Sequence, residues 1–359
     1  MIIISPRWIY LHNKKIEKEK ALLIDGSLIK EIIDKNAIKK KYKDFKVIEY
    51  DDHILMPSLS ESCITIHDCI DEEQLNIKLN RLLSNGVTKI NLLGANENIM
   101  RYTFNPHIQL GQILELDGKI ANQSDIKNIT SLLDSFKSDP SKLLSISLIN
   151  INHFDNDVIK KISFITNEIS INLHVNLNGI NHVLTENELT KKIKFWEDIN
   201  LLNNSYLYAF PAFNKQWFRT IKKNNITLMI SYKELKNVEN IKYFISLLEK
   251  KYKCILVSND CKSYEFYQTI NLIKLFIKNK MDLDITVKII NCVTDNTSEL
   301  FSNYLSSGCI KKGNQASFNL FNYKQNYFVD SYNVNPNLYS LDKESLTHVW
   351  SAGKQVDIV

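Results

Sequence analysis

A chain of 359 residues is too long for one small domain and suits either one large barrel with a minor domain or two medium domains. Hydrophobic residues make up 44% and charged residues 24%, the composition of an ordinary globular protein with a sizeable core. The formal net charge of +5 is spread along the whole chain, which excludes the concentrated basic surface of a nucleic-acid binder. The densest basic run, Lys39-Lys40-Lys41 with Lys43, reads as a solvated helix end.

The first fifty residues read as β-rich. Trp8–Leu11 is a short strand, and Ala21–Ile24 and Leu28–Ile33 form a hairpin across the turn dipeptide Asp25-Gly26. Lys35–Tyr42 is predicted helical, and Lys46–Tyr50 another strand. From His53 the pattern changes to apolar strand-like runs alternating with amphipathic helical stretches. The strands are Ile54–Met56, Lys89–Leu93, Ile108–Leu114, Ser145–Ile151, Ile169–Val175, Tyr206–Phe210, Ile226–Ser231 and Cys254–Ser258. The helices are Glu72–Leu83, Ser124–Phe136, Asn156–Thr166, Glu186–Leu201, Asn214–Lys223, Glu234–Tyr252, Tyr264–Asn279 and Thr297–Leu305.

Alternation of this kind implies parallel strands with right-handed crossovers, and its length suits a closed (β/α)8 barrel. The rival, an open doubly wound sheet, usually carries a glycine-rich first turn. Only 9 Gly occur here, with no GxGxxG and no Walker pattern. The last fifty residues return to β: Ala316–Phe321, Tyr327–Val329 and a closing hairpin around Ala352-Gly353. Pairing the two β-rich ends gives residues 1–54 plus 310–359 as a composite β-sandwich domain and 55–309 as the barrel.

Six Cys form no CxxC pair and suggest no disulfide framework, so reduced thiols in a cytoplasmic protein are expected. The N-terminus lacks the basic region of a signal peptide, and no apolar run approaches a membrane span.

The order of these elements resembles the amidohydrolase superfamily, in its cytosine deaminase, chlorohydrolase and aminofutalosine deaminase branch. The segment beginning at Ala21 resembles that family's small-domain hairpin. Asp52-His-Ile-Leu-Met-Pro-Ser-Leu-Ser-Glu-Ser-Cys-Ile-Thr stands where the family has a strand ending in Pro-Gly-Leu-x-x-x-His-x-His. Asn85-Gly-Val-Thr resembles its lead into the second barrel strand. Gly308-Cys-Ile-Lys-Lys-Gly-Asn-Gln-Ala-Ser and His348-Val-Trp-Ser-Ala-Gly-Lys-Gln-Val resemble its closing segments.

The resemblance implies a metal at the C-terminal mouth of the barrel, held by two His of the first strand, one of the fifth, one of the sixth and an Asp of the eighth. The two first-strand positions fall on Cys63 and Thr65, with His67 and Asp68 just beyond. The fifth-strand histidine is kept as His174, but the proton-shuttling Glu three residues on is replaced by Leu177, which transfers no proton. Ala209 or Phe210 stands at the sixth-strand position, and Asp260 is kept at the eighth, where the resemblance gives it the catalytic role of base toward water. With Cys63 added, His174 and Asp260 would make a set of three with one open position, which zinc accepts in principle. Apart from the resemblance, Cys63 reads as a small buried hydrophobe and Asp260 as a helix cap or strand-end acceptor.

There is no HExxH and no GxSxG. The His residues at 12, 53, 107, 153, 182 and 348 are read as structural or surface groups. The aromatic cluster Tyr206, Tyr208, Phe210, Phe213, Trp217 and Phe218 is read as filling of the former pocket, with stacking of a planar ligand as the other reading.

The expected function is accordingly a non-catalytic binding or partner subunit without a cofactor. The alternative is a divergent metal-dependent hydrolase or deaminase of purine-, pyrimidine- or nucleoside-like C–N bonds, with zinc. A small-molecule ligand or a protein partner is expected, neither nucleic acid nor membrane, and a homodimer stays open.

Overall fold

The computed structural model of the chain describes residues 1–11, 16–66, 71–94, 104–119, 143–168, 170–177, 184–208, 215–258, 265–277, 283–301, 308–323 and 343–357. Two sheets organise it. The first is mixed and comes from both ends of the chain. Its strands are β1 (Ile2–Tyr10), β2 (Ile16–Lys18), β3 (Lys20–Asp25), β4 (Leu28–Asp34) and β5 (Lys46–Pro57). The second sheet holds β6 (Leu59–Thr65), β7 (Val87–Leu93), β8 (Gln109–Asp117), β9 (Leu143–Ile149), β10 (Asn172–Asn176), β11 (Tyr206–Tyr208), β12 (Thr227–Ser231) and β13 (Cys254–Val257). The chain then returns to the first sheet with β14 (Phe318–Asn322), β15 (Leu346–Ser351) and β16 (Lys354–Val356).

The mixed sheet runs β16-β15-β14-β5-β1-β3-β4, with β2 on β1. Its strands form because β-branched and aliphatic residues alternate or run together between turn residues. Gly26 (φ +57) turns β3 into β4, while Ala352 (φ +49) and Gly353 (φ +78) turn β15 into β16, as the two predicted hairpins require. One face buries Ile4, Leu22, Leu55, Phe318 and Leu320. The other packs Ile3, Leu23 and Ile33 under the short helix Lys35–Lys41.

The second sheet is parallel throughout, in the order β6 to β13, and curls into a nearly closed eight-strand barrel with helices around it. Along each strand one set of residues packs outward beneath the helices: Ile90 and Leu92, Ile146 and Leu148, Leu173 and Val175, Leu228 and Ile230. The alternate residues face the lumen. A (β/α)8 barrel with a small β-domain built from both termini is therefore the architecture. Among the described residues no helix is long and apolar enough to cross a membrane.

The first barrel strand differs from the predicted one. Ile54–Met56 belongs to β5 of the mixed sheet, where Leu55 pairs with both Ile9 and Leu320. The barrel begins at β6, whose sequence Leu-Ser-Glu-Ser-Cys-Ile-Thr holds too few apolar residues to stand out, although it is buried almost throughout. A helix at Leu283–Asn291 was also not predicted, and the predicted helix Glu234–Tyr252 divides into a 3-10 turn at Glu234–Lys236 and a helix at Val238–Glu249. Helix Ser124–Phe136 and strand Tyr327–Val329 lie outside the described residues.

The two sheets meet at Gly86. Its φ of +84 ends the turn between helix Glu72–Ser84 and β7, and its carbonyl accepts the Asn319 Nδ2–H of β14 at 3.0 Å. A Cβ there would lie 2.3 Å from Asn319 Nδ2. Gly86→Ala is expected to lower stability by about 1–3 kcal/mol, from the left-handed backbone and the displaced Asn319 together. Urea unfolding that leaves the midpoint unchanged would remove this contact as the lock between the sheets.

Candidate functional site

The lumen of this barrel carries several buried polar side chains. Lys89 and Asn91 of β7, Ser145 and Ser147 of β9, and His174 of β10 all face inward and are buried, because their neighbours in sequence pack outward. Cys63, Ile113, Tyr206, Met229, Ile255 and Val257 supply the apolar part of the lumen.

His174 stands at the middle of β10, with Ser147 as its register partner on β9 and Tyr206 on β11. Ser147 in turn pairs with Glu115 of β8. The imidazole stacks on the Tyr206 ring, centroids 5.2 Å apart and planes inclined by 22°. Its Nε2 is buried without a hydrogen-bond partner among the described residues. Burial pushes its pKa down to about 3, because the imidazolium would lose its hydration and gain no counter-charge among the described residues. His174 is therefore neutral at physiological pH and presents an open nitrogen.

Cys63 lies on β6, 6% exposed. Burial first, then the charges of Glu61 and Glu115, push its thiol well above the ordinary range. Thr65 ends the same strand, half-buried at the mouth. Leu177, just past β10, is buried in the outer layer between barrel and helices. Asp260, His67, Asp68, Ala209 and Phe210 lie outside the described residues.

The strand-six aromatics divide. Tyr206 and Tyr208 join the lumen cluster. Trp217 packs in the outer layer, and Phe218 lies 5.3 Å from Tyr252. Neither fills the lumen, because helix Lys215–Lys223 turns both toward the barrel's outside, correcting the expectation for that pair.

Two buried barrel groups escaped sequence reasoning. Glu61 of β6 is buried at the seam where β6 meets β13. Those two strands do not pair directly. Instead Glu61 Oε1 accepts the Ser258 N–H at 3.1 Å and the Cys63 N–H at 3.4 Å, while Ser60 N–H and Leu256 N–H both donate to the helix-end carbonyls of Val293 and Cys292. Burial raises the Glu61 carboxyl to about 8, against the lowering effect of those N–H groups, so it is a neutral acid at pH 7. The signal for it was a lone acid two residues before Cys63 in a segment not read as a strand. The second group is Lys89, whose alternation with Asn91 and Leu93 would have placed it inward.

A divalent cation needs several converging donors. The open Nε2 of His174 is the feature of the described lumen that fits one, and His174 and Cys63 are two of the three expected ligands. Among the described residues no three His, Cys, Asp or Glu side chains converge as a ligand set.

No family model and no curated sequence matches the chain. Solved structures do. Over 99% of this chain and 100% of the other, it is similar to the aminofutalosine deaminase of Helicobacter pylori (TM-score 0.75, 12% identity). It is also similar to the guanine deaminase of C. acetobutylicum with bound guanine, over 99% and 100% of the two chains (TM-score 0.72, 13% identity). A third, the atrazine chlorohydrolase of Arthrobacter aurescens complexed with zinc, covers 99% of this chain and 95% of its own (TM-score 0.73, 10% identity). At such identities the likeness is one of fold, and it spans both the barrel and the mixed sheet.

Proposed function

We propose that the chain is a divergent metal-dependent hydrolase of the deaminase kind, acting on a C–N bond of a purine-, pyrimidine- or nucleoside-like substrate. The observation that carries this reading is His174, neutral and with an open nitrogen in the lumen. The whole-length likeness to two deaminases and a zinc-bound chlorohydrolase supports the reaction class. His174, Cys63 and Asp260 would hold zinc, which when bound lowers the pKa of water to about 7. Asp260 would take the proton from that water. Zinc binding has to overcome the proton affinity of the Cys63 thiol, so metal affinity should rise with pH.

A second reading, a non-catalytic binding subunit, is favoured by Leu177, a buried leucine where the resemblance places the proton shuttle.

Zinc content separates the two. Purified with added zinc, the wild type is expected to hold close to one equivalent. Cys63→Ala, His174→Ala and Asp260→Ala should each lose it, together with hydrolysis of aminopurine and aminopyrimidine substrates, while circular dichroism stays unchanged. A folded wild type that holds no zinc overturns the hydrolase and leaves the binding subunit.

A further inference from the structure

Nearer the N-terminal end of the strands, the same barrel holds polar groups that the proposed function does not use. Lys89 is the third residue of β7 and 1% exposed. Its register partners are Ser60 on β6 and Gln109 on β8, and Asn91 follows it on the same face. Lys89 Nζ, Ser60 Oγ, Gln109 Oε1 and both polar atoms of the Asn91 amide are buried without a hydrogen-bond partner among the described residues. Four adjacent residues thus leave their polar atoms unpaired together, in a fold where such atoms are nearly always paired.

Among the described residues the charge balance is equally incomplete. Lys89 Nζ lies 5.4 Å from the centroid of the Phe301 ring, which closes the space on one side. No carboxylate forms an ion pair with it among the described residues. Among the described residues, the one titratable group that bears on it is the Cys309 thiol. Burial and the nearby Asp295 raise that thiol above its ordinary range, so it is uncharged at neutral pH and compensates nothing. Burial lowers Lys89 to about 8, which still leaves it largely protonated at pH 7. A buried ammonium without a counter-charge is among the costliest arrangements a core can hold.

We propose that this part of the lumen binds a small inorganic anion, held by the Lys89 ammonium, the Asn91 amide and the Ser60 hydroxyl. An anion supplies the missing charge and accepts from the unpaired donors. The unpaired acceptors, Gln109 Oε1 and Asn91 Oδ1, add that an anion with a proton of its own, such as bicarbonate, satisfies more of the site than a halide does.

The test is thermal unfolding at pH 7.2 in sodium gluconate, with chloride or bicarbonate exchanged in at constant ionic strength. Gluconate, a bulky organic anion, serves as the reference. The wild-type midpoint is expected to rise saturably, by a few degrees from about 1 to about 300 mM of the binding anion. A response to bicarbonate alone identifies a protonated oxyanion, and a response to chloride as well identifies a general anion site. Lys89→Met should abolish the response and, in gluconate, match or exceed the wild-type midpoint. Should it not fold, Asn91→Ala keeps the charge and is expected to shift the response to several-fold higher anion concentration. A wild type indifferent to both anions, or a variant responding as the wild type does, overturns the site. Zinc content is a separate readout, so failure here leaves the proposed function standing.

Discussion

Glu61→Gln should make the protein more stable at alkaline pH, and the gain should vanish in mild acid. The buried Glu61 carboxyl is raised from an ordinary 4.5 to about 8. Between those values the native state keeps a proton that the unfolded chain gives up, so stability falls as pH rises through this window. The loss approaches roughly 5 kcal/mol by pH 9, as an upper bound of the linkage. Gln keeps the acceptor oxygen for the Ser258 and Cys63 N–H groups and carries no proton to lose. His174 works in the opposite sense. Lowered from 6.5 to about 3, it costs stability as pH falls from about 6.5, because only the unfolded chain takes up the proton. The two slopes oppose each other between about 4.5 and 6.5, where the wild type should be most stable. Urea unfolding of both proteins at pH 5, 7 and 9 checks this. Parallel curves at all three pH values would show that Glu61 ionises freely.

Phe301→Ala should cost about 3–5 kcal/mol, the range for a large aromatic removed from a rigid core. Phe301 is fully buried and ends the short 3-10 turn Glu299–Phe301. The turn is tied beneath the barrel by Asn172 Nδ2, which donates to the Leu300 carbonyl at 3.1 Å. Leu300 and Phe301 pack with Met229 and Ile255 of the lumen. Removing the ring opens a cavity and strips Lys89 of its aromatic neighbour. Phe301→Leu should recover most of the loss, and the loss should shrink in a Lys89→Met background, since the two groups are coupled. Guanidinium unfolding that places Phe301→Ala within 1 kcal/mol of the wild type would mean that the turn does not plug the barrel.

Much of this fold was legible in the sequence for one reason: parallel strands buried on both sides are mostly apolar, and hairpins announce themselves through Asp-Gly and Ala-Gly turns. Strands Val87–Leu93, Asn172–Asn176 and Cys254–Val257 overlap the predicted Lys89–Leu93, Ile169–Val175 and Cys254–Ser258. Strand β6 was not legible, because Ser60, Glu61 and Ser62 are buried by the closing of the barrel, a long-range event that leaves no mark on local hydropathy. The same limit hid the site's electrostatics. Alignment to a family pattern found His174 and Cys63, the positions where ligands were expected. It did not point to Glu61 or Lys89, whose interest lies in being charged residues in a dry place, a property of burial rather than of spacing.

The sharing of one sheet between the two ends of the chain bears on how the protein is made. β5 lies between β1, which precedes the barrel in sequence, and β14, which follows it. Until residues 318–322 leave the ribosome, one edge of β5 carries unpaired N–H and C=O groups. The nascent chain therefore carries an open strand edge throughout synthesis of the barrel, at about 5–20 residues per second. A ribosome stalled before β14 should display a chain that pairs with other strands or recruits chaperones, and emergence of β14 and the strands that follow it should end that exposure.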